Sequence, residues 1–365
     1  MASVSSNTTP VLSSVRGIFG WLEDCRSARS LALLTLPVFL LILWPFDLVQ
    51  NEYNYFLLPL RRVVPEQFSA YSAVFDWSDA RVVWEYVVGH LMVGFGYELT
   101  HGALRILMAC TYAAAAGFLF SALRLSAIDA YIVLGLFLVA GQDILGKEWL
   151  FVGVESKTFA YALVMAGLAF VIRERVSTAI LLAAVATYLH FLVGGFWLLA
   201  LLGYDLLQRR APRETLRCLA IYLLMVSPLV AVIAYQQLEG LSVAARDQSA
   251  SYIYSIFRNP HHVAPFASRS DFKTWAPDIV FLLALTGTFL FLARIRSGGT
   301  RVLVCWFAGL LLSLVAAIVL SAVDHKTGYL GKFYLFRPSS LTLFCACLAL
   351  MALWRGYERG APSLG

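Results

Sequence analysis

The sequence predicts an all-α, polytopic integral membrane protein. Hydrophobic residues make up 60% of its 365 positions and charged residues only 14%, and the mean hydropathy is +0.75. A chain of this composition cannot cover its folded surface with polar groups, so most of that surface must face lipid. Apolar runs near the length of a membrane-crossing helix recur along the whole chain.

Ten apolar runs are candidate spanning helices, and we expect them to form one transmembrane domain over residues 1–365. A helix needs about 20 residues to cross the hydrocarbon core, and several runs are shorter, so their boundaries are loose. The runs cover residues 30–46, 103–122, 127–145, 158–172, 176–190, 193–208, 216–236, 277–295, 300–321 and 337–354.

An eleventh apolar segment, residues 82–98, contains Glu85 and His90. If it also crossed the membrane, the number of crossings would be odd. The two termini would then lie on opposite sides, which disagrees with the distribution of arginines described next. We therefore predict an amphipathic helix along the outer interface, within the first external loop. A short eleventh spanning helix is the alternative.

The arginines set the expected orientation. Fifteen of them lie in six short segments beside the apolar runs, and placing all six in the cytoplasm gives ten crossings. We therefore expect an integral protein of a bacterial inner (plasma) membrane, or a comparable membrane, with both termini cytoplasmic. The pI is near 9.0, but the basic residues do not form a single basic face. The orientation of the chain in the membrane explains their distribution, so no nucleic-acid partner is expected.

The polar residues outside the arginine segments gather in four external connections. These connections are residues 47–102, 146–157, 237–276 and 322–337. Their ionisable groups exceed what a turn between helices needs, which indicates a function at the non-cytoplasmic face. The six cysteines lie in or beside apolar runs, so they predict buried side chains and no disulfide framework.

Two carboxylates follow the first predicted span. Asp47 and Glu52 lie where the chain leaves the hydrocarbon layer. A carboxylate at such a position can have a raised pKa and act as a general base. The alternative is that both residues are interfacial charges that end a helix.

The order of these elements resembles a known family. Asp47 and Glu52 precede an aromatic residue, an apolar segment over residues 84–96 follows, and the next helix begins with THGALRIL, which contains Arg105. The turns GVESKTFAY and TYLHFLVGG come next. Over about residues 30–210 this arrangement is similar to the C-type (GT-C) glycosyltransferases, which are integral membrane enzymes that use polyprenyl-phosphate-linked donors.

The resemblance implies a GT-C-like module at residues 30–210, followed by C-terminal helices over residues 211–365. It implies that Glu52 deprotonates or positions the acceptor, with Asp47 as a second acid, and that Arg105 contacts the substrate. The adjacent acidic pair common in that family is absent, because Asp47 and Glu52 are five residues apart.

The turn at 146–157 carries two pairs of opposite charges. Glu155 and Lys157 could bind a sugar hydroxyl and a phosphate, or could pair with each other at the helix ends. We expect substrate binding for Glu155 and Lys157, and a structural role for Lys147 and Glu148. His190, at the end of a span, is a further substrate-binding candidate or a hydrogen-bonded structural residue.

The last two external connections carry candidate phosphate contacts. Arg258, His261 and His262 could bind a phosphate or a divalent metal, and the absence of a third ligand at motif spacing favours phosphate. Arg337 lies among aromatic residues before the final span, after Lys332, and a guanidinium there can bind a lipid phosphate with two hydrogen bonds.

Together these residues predict a membrane glycosyltransferase that moves a sugar from a polyprenyl-phosphate-linked donor to a glycan, lipid or protein acceptor at the non-cytoplasmic face. We expect no cofactor and no metal ligands, with a divalent metal as the open alternative. The rival interpretations are a non-catalytic transporter or lipid-binding protein, and a ligase or polymerase of lipid-linked glycans. Charges at mid-membrane depth would favour transport, and charges confined to the outer interface favour the enzyme.

Overall fold

The protein is helical throughout the part that the structure describes. The computed structural model describes residues 10–44, 52–68, 81–151, 153–208, 211–241, 252–295 and 298–358. Helices take up 83% of these residues, and no strand occurs among them. The predicted all-α class is therefore confirmed.

Fourteen α-helices lie in the described ranges. The first seven are α1 (Pro10–Asp24), α2 (Ala28–Ile42), α3 (Glu52–Val63), α4 (Val82–Phe95), α5 (Tyr97–Ala122), α6 (Ala127–Val139) and α7 (Ser156–Ile172). The others are α8 (Val176–Leu189), α9 (Phe191–Gln208), α10 (Pro212–Leu241), the short α11 (Pro260–Val263), α12 (Arg269–Ile295), α13 (Gly298–Val323) and α14 (Ser339–Glu358). Each of the ten predicted apolar runs coincides with one of these helices.

Five helices are long and apolar enough to cross a membrane by length and composition. They are α5, α12 and the segments Pro212–Tyr235, Arg301–Val323 and Ser339–Gly356. A sixth results if Gly17–Asp24 and Ala28–Ile42, bent by 119°, are counted as one broken span. Helices α4, α6, α7, α8 and most of α9 are apolar but shorter. The chain is thus an integral membrane protein by its helices, and the number of ten crossings remains a prediction.

Helices α2 and α5 pack closely because α5 carries a glycine at their contact. A Cβ atom on Gly117 would lie 2.6 Å from the carbonyl oxygen of Ala28 and 2.6 Å from the amide nitrogen of Ala32. Only glycine lets the two backbones approach this far, as is common between membrane helices. This contact holds α2 beside the helix that carries His101 and Arg105.

The predicted first external loop contains two helices, α3 and α4. They pack against each other, with the Trp84 indole donating a hydrogen bond to the Tyr55 carbonyl oxygen at 3.1 Å. The Arg62 guanidinium binds the Glu85 carboxylate at 2.7 Å. A helix over most of residues 82–98 is therefore confirmed, and its place along the outer interface remains a prediction.

The bundle has two ends that carry different clusters of charges. At one end Arg355 of α14 binds Asp129 of α6 at 2.6 Å and Glu23 of α1 at 2.7 Å. Arg337 lies just before α14, 18 residues away, which is about 27 Å along a helix. Helix α6 likewise leads from the Arg355 end to the connection at residues 140–155. The predicted external connections described below meet at the Arg337 end.

Candidate functional site

A buried cluster of charges lies at the end of the bundle where α7 and α14 begin. We call Glu148, Glu155, Lys157 and Arg337 the Arg337 cluster. The Glu148 carboxylate is 3.0 Å from the Arg337 guanidinium and 3.5 Å from the Lys157 ammonium, which is also 3.4 Å from Glu155. All four side chains are at least nine-tenths buried. The sequence singled out Glu155, Lys157 and Arg337 as separate substrate-binding candidates, and the structure places their side chains in one cluster.

Hydrogen bonds to α14 and its preceding residues hold the α6–α7 connection in place. The Ser339 hydroxyl accepts hydrogen bonds from the amides of Ile144 and Leu145, both at 2.8 Å. The Tyr161 hydroxyl of α7 donates to the Arg337 carbonyl oxygen at 2.9 Å. The backbone carrying Glu148 and the backbone carrying Arg337 are therefore fixed relative to each other.

The charges of the Arg337 cluster stabilise one another. Burial alone would raise the pKa of the Glu148 carboxyl, but the charges of Arg337 and Lys157 hold that pKa below its ordinary value. Burial opposes the charge of Arg337, yet Glu148 keeps the pKa of the guanidinium above its ordinary value. Lys157 also lies 4.0 Å above the Trp149 ring, a favourable cation–π distance.

Several polar atoms of this region have no hydrogen-bond partner among the described residues. They include both carboxylate oxygens of Glu155, Nε of Arg337, Nδ1 of His190 and the indole nitrogen of Trp149. Glu155 occupies the N-terminal cap position directly before the first residue of α7. Buried polar groups are nearly always paired, so donors and acceptors left open in one region suit a ligand that offers both kinds of group.

A second cluster surrounds Glu52, the first residue of α3. We call Glu52, His101 and Arg105 the Glu52 cluster. The Arg105 guanidinium lies 2.8 and 2.7 Å from the two Glu52 oxygens, and His101 is 3.5 Å from one of them. Arg105 also donates to the Leu43 carbonyl oxygen at 2.9 Å. All three side chains of the cluster are almost fully buried.

The Glu52 cluster contacts the turn that leads to Glu155. The Val154 amide donates a hydrogen bond to Glu52. A Cβ atom on Gly153 would lie 2.8 Å from the Glu52 side chain, so glycine is needed for this approach. Glu52 thereby joins α3 and α5 to the α6–α7 connection, next to the Arg337 cluster. Its predicted role as a base remains a prediction, as does substrate contact by Arg105.

The histidines of the region are held in the neutral form. Burial, followed by the charge of Arg337, lowers the pKa of His190 well below its ordinary value. Burial also lowers the pKa values of His261 and His262. Nδ1 of His262 lies 2.6 Å from the Gly146 carbonyl oxygen, so the proton on this ring belongs to Nδ1. A neutral imidazole attracts a phosphate less than a cation does, which weakens the expected charge contact.

Three predicted residues cannot be placed in either cluster. Asp47 lies outside the described residues, as do the side chains of Arg258 and Lys332. No group of three or more His, Cys, Asp or Glu residues suited to a metal occurs among the residues that could be searched.

Some residues of the site were missed by the sequence argument. Glu148 was expected to have a structural role only, yet it is the direct partner of Arg337. His101 precedes Arg105 by one helical turn, and this spacing on one helix face was a usable signal. Arg81 lies 4.6 Å from the Tyr55 ring, and burial, then the charge of Glu155, raises the pKa of the Tyr55 hydroxyl. No sequence signal placed Tyr55 or Arg81 near Glu155.

An apolar groove lies beside Arg337. It holds a cavity of about 10 Å³, about the space of one water molecule, between α7, α9, α13 and the start of α14. Its lining consists of Tyr161, Val193, Phe196, Trp197, Leu310, Arg337, Pro338 and Leu341. The groove thus joins a cationic group to apolar walls.

Comparisons with protein family models, with curated proteins and with solved structures find no match to this chain. The resemblance to the GT-C enzymes therefore rests on the residues and their order alone.

Proposed function

We propose that the protein is an integral membrane glycosyltransferase of the GT-C type. It takes a sugar from a polyprenyl-phosphate donor and transfers it to an acceptor hydroxyl at the Arg337 end of the bundle. We assign that end to the non-cytoplasmic face, as the arginine distribution predicts.

One observation carries this proposal. The Arg337 guanidinium and the Glu155 carboxylate are buried in the same cluster, and each keeps polar atoms without a hydrogen-bond partner among the described residues, although Lys157 lies 3.4 Å from Glu155. A sugar phosphate would supply what both lack, because its phosphate oxygens accept hydrogen bonds and its hydroxyls donate them. The cluster therefore suits the head of such a donor better than it suits a purely structural ion pair.

The groove beside Arg337 supports a lipid-linked donor. A polyprenyl phosphate has an anionic head directly attached to an apolar chain, and the groove offers a guanidinium next to Val193, Phe196 and Leu341. Phosphate binding by Arg337 would place the first isoprene units along these apolar side chains. The cavity itself has room for about one water molecule, so the chain would lie along the outer side of these residues and extend into the bilayer.

The reaction needs one bond formed, one bond broken and one proton moved. The acceptor oxygen bonds to the anomeric carbon while the bond between that carbon and the phosphate oxygen breaks, and the electron pair leaves with the phosphate. Arg337 and Lys157 stabilise the charge on the departing lipid phosphate. A carboxylate takes the acceptor proton.

Two carboxylates are candidates for that base. Sequence analysis favours Glu52, whereas the geometry favours Glu155. Both oxygens of Glu52 are bound by Arg105, and one also accepts from the Val154 amide. The Glu155 carboxylate has the looser contacts: Lys157 lies 3.4 Å from one oxygen, and the other oxygen has no hydrogen-bond partner among the described residues. We therefore assign Glu155 as the base and Glu52 as the residue that positions its turn.

The placement of the charges argues against transport. Glu148, Glu155 and Arg337 precede their helices, and His190 lies between α8 and α9. None of these four residues lies in the middle of a long apolar helix, where a translocation path would need them.

The test is transfer by purified protein in nanodiscs, supplied with polyprenyl-phosphate sugars and a membrane extract as the source of acceptors. Wild-type protein should release polyprenyl phosphate, and Glu155→Gln should lower that rate by ~10² to 10⁴-fold, the range of general-base catalysis. Glu98→Gln is the matched control, because Glu98 is an exposed carboxylate in the first turn of α5.

The outcomes separate the rival functions. Wild-type protein that binds polyprenyl phosphate but never releases it from a sugar would be a lipid-binding protein. Wild-type protein that does neither would refute the proposal. Full activity of Glu155→Gln, with an active wild type, would return the role of base to Glu52.

A further inference from the structure

Helix α1 carries an apolar stripe in its sequence, and two of the described side chains of this stripe are exposed. Hydrophobic residues recur at positions 11, 12, 15, 18, 19 and 22, which fall on one side of a helix, while Gly20 and Asp24 fall on the other. Leu22 packs against the hydrophobic core. Ile18 and Phe19 remain 58% and 55% exposed. Among its described side chains, the stripe therefore contacts the bundle at Leu22 and is open at Ile18 and Phe19.

The chain turns sharply between α1 and α2. The two helices are bent by 119° relative to each other, so α1 lies closer to perpendicular than to parallel with α2. The turn is fixed on both sides. The Ala127 amide donates to the Cys25 carbonyl oxygen at 3.1 Å, and the Ser27 hydroxyl caps α2 by accepting from the Ser30 amide. If α2 crosses the membrane, α1 lies near the membrane plane.

Aromatic side chains mark the level of α1 on the bundle. Glu23 of α1 binds Arg355 of α14 at 2.7 Å, and Trp21 and Trp354 are near these two residues in the sequence. Their side chains are 56% and 58% exposed. Exposed tryptophans at the ends of membrane helices form a belt at the lipid–water interface. Trp21 and Trp354 fit such a belt, and α1 lies at its depth.

We propose that α1 is a membrane-surface helix whose Ile18 and Phe19 side chains insert into the leaflet at the Arg355 end of the bundle. Lipid is the favoured partner because the neighbouring helix α2 likewise exposes large apolar side chains, with Leu33 and Leu41 61% and 73% exposed. Glu23, Arg355 and Asp129 then fix the polar side of α1 to the bundle. This inference does not depend on the proposed reaction.

The test uses a photo-reactive side chain, p-benzoylphenylalanine, introduced separately at Ile18, Phe19 and Gly20 of the full chain in proteoliposomes. Nothing lies within 4 Å of a Cβ atom at Gly20, so this position accepts the probe and reports on the opposite face. Lipid adducts, detected by mass, should form at least about fivefold more at Ile18 and Phe19 than at Gly20.

Each other outcome overturns the inference. Adducts between two copies of the chain at Ile18 or Phe19 would show that a second copy covers the stripe. Equal lipid yields at all three positions, or no lipid adduct at any, would show that the stripe does not insert. Thermal unfolding of each labelled protein verifies the fold, and Ile18 alone carries the comparison if the Phe19 protein fails to assemble.

Discussion

Replacing Glu52 by glutamine should test whether this carboxylate holds the structure together or performs chemistry. The substitution keeps the shape of the side chain and one acceptor for the Val154 amide, but it removes the charge that Arg105 binds at 2.7 Å. Arg105 is only 2% exposed, so its charge would be left in the interior without its carboxylate. Breaking a buried pair in this way costs about 3–5 kcal/mol.

The expected loss for Glu52→Gln is at the lower end of this range, about 3 kcal/mol, since the glutamine oxygen still accepts a hydrogen bond. A second variant tests whether the unpaired charge of Arg105 causes this loss of stability. Arg105→Met in the Glu52→Gln background removes the stranded cation and keeps an apolar side chain of similar length. We expect the double variant to recover at least about half of the lost stability, because both charges are then gone.

The assay is unfolding of the purified variants in detergent, with transfer activity measured on the same samples and Glu98→Gln as the control. Wild-type stability of Glu52→Gln would refute the structural role. So would a double variant that is no more stable than the single one. A stable Glu52→Gln protein that loses activity would instead identify Glu52 as the base.

Three further predictions concern the other charges. Arg337→Lys keeps a cation beside Glu148 but loses the planar fork, so binding of polyprenyl phosphate, measured by titration, should weaken by roughly tenfold while stability falls by only about 1–2 kcal/mol. Burial raises the pKa of Asp143 from 3.8 to about 6, so the stability that its neutral form contributes is fully present below pH 3.8 and is lost as the pH rises through about 6. Asp143→Asn should therefore match wild type near pH 4 and exceed it by about 1–2 kcal/mol at pH 7 after allowance for solvent screening, as thermal unfolding across this pH range would reveal. For topology, a cysteine at Lys273 should react with an impermeant maleimide in whole cells and a cysteine at Arg213 should not, and the reverse pattern would invert the predicted orientation.

The helices were predictable because their signal is local. Each apolar run is long compared with a helical turn, and lipid leaves the backbone no alternative to internal hydrogen bonds. Helix α3 was missed since its polar and aromatic residues give no long apolar run, and it forms by packing on α4. Helix α1 was not predicted, because serines and glycines interrupt its apolar stripe and the first apolar run begins at residue 30.

The sequence predicted which residues belong to the site, but it did not predict which of them form ion pairs with each other. Ionisable residues in short external connections singled out Glu52, Glu155, Lys157 and Arg337. Nothing local could show that Arg337 binds Glu148, because 189 positions separate the two residues. The same limit concealed the partnership of Glu52 with Arg105, 53 positions apart, which turns a candidate base into half of a buried ion pair. Such pairings depend on which helices become neighbours.

The two arginines that flank α14 have a consequence for how the protein is assembled in its membrane. Asp129 and Glu148 are buried, and they receive Arg355 and Arg337 from a segment translated long after α6 and α7. Until α14 inserts, both acids lack those partners, which is unfavourable in the low dielectric of the bundle. Insertion of α14 therefore completes the bundle at both faces in one step. A chain stopped before this helix would carry two exposed defects, which a membrane protease could recognise.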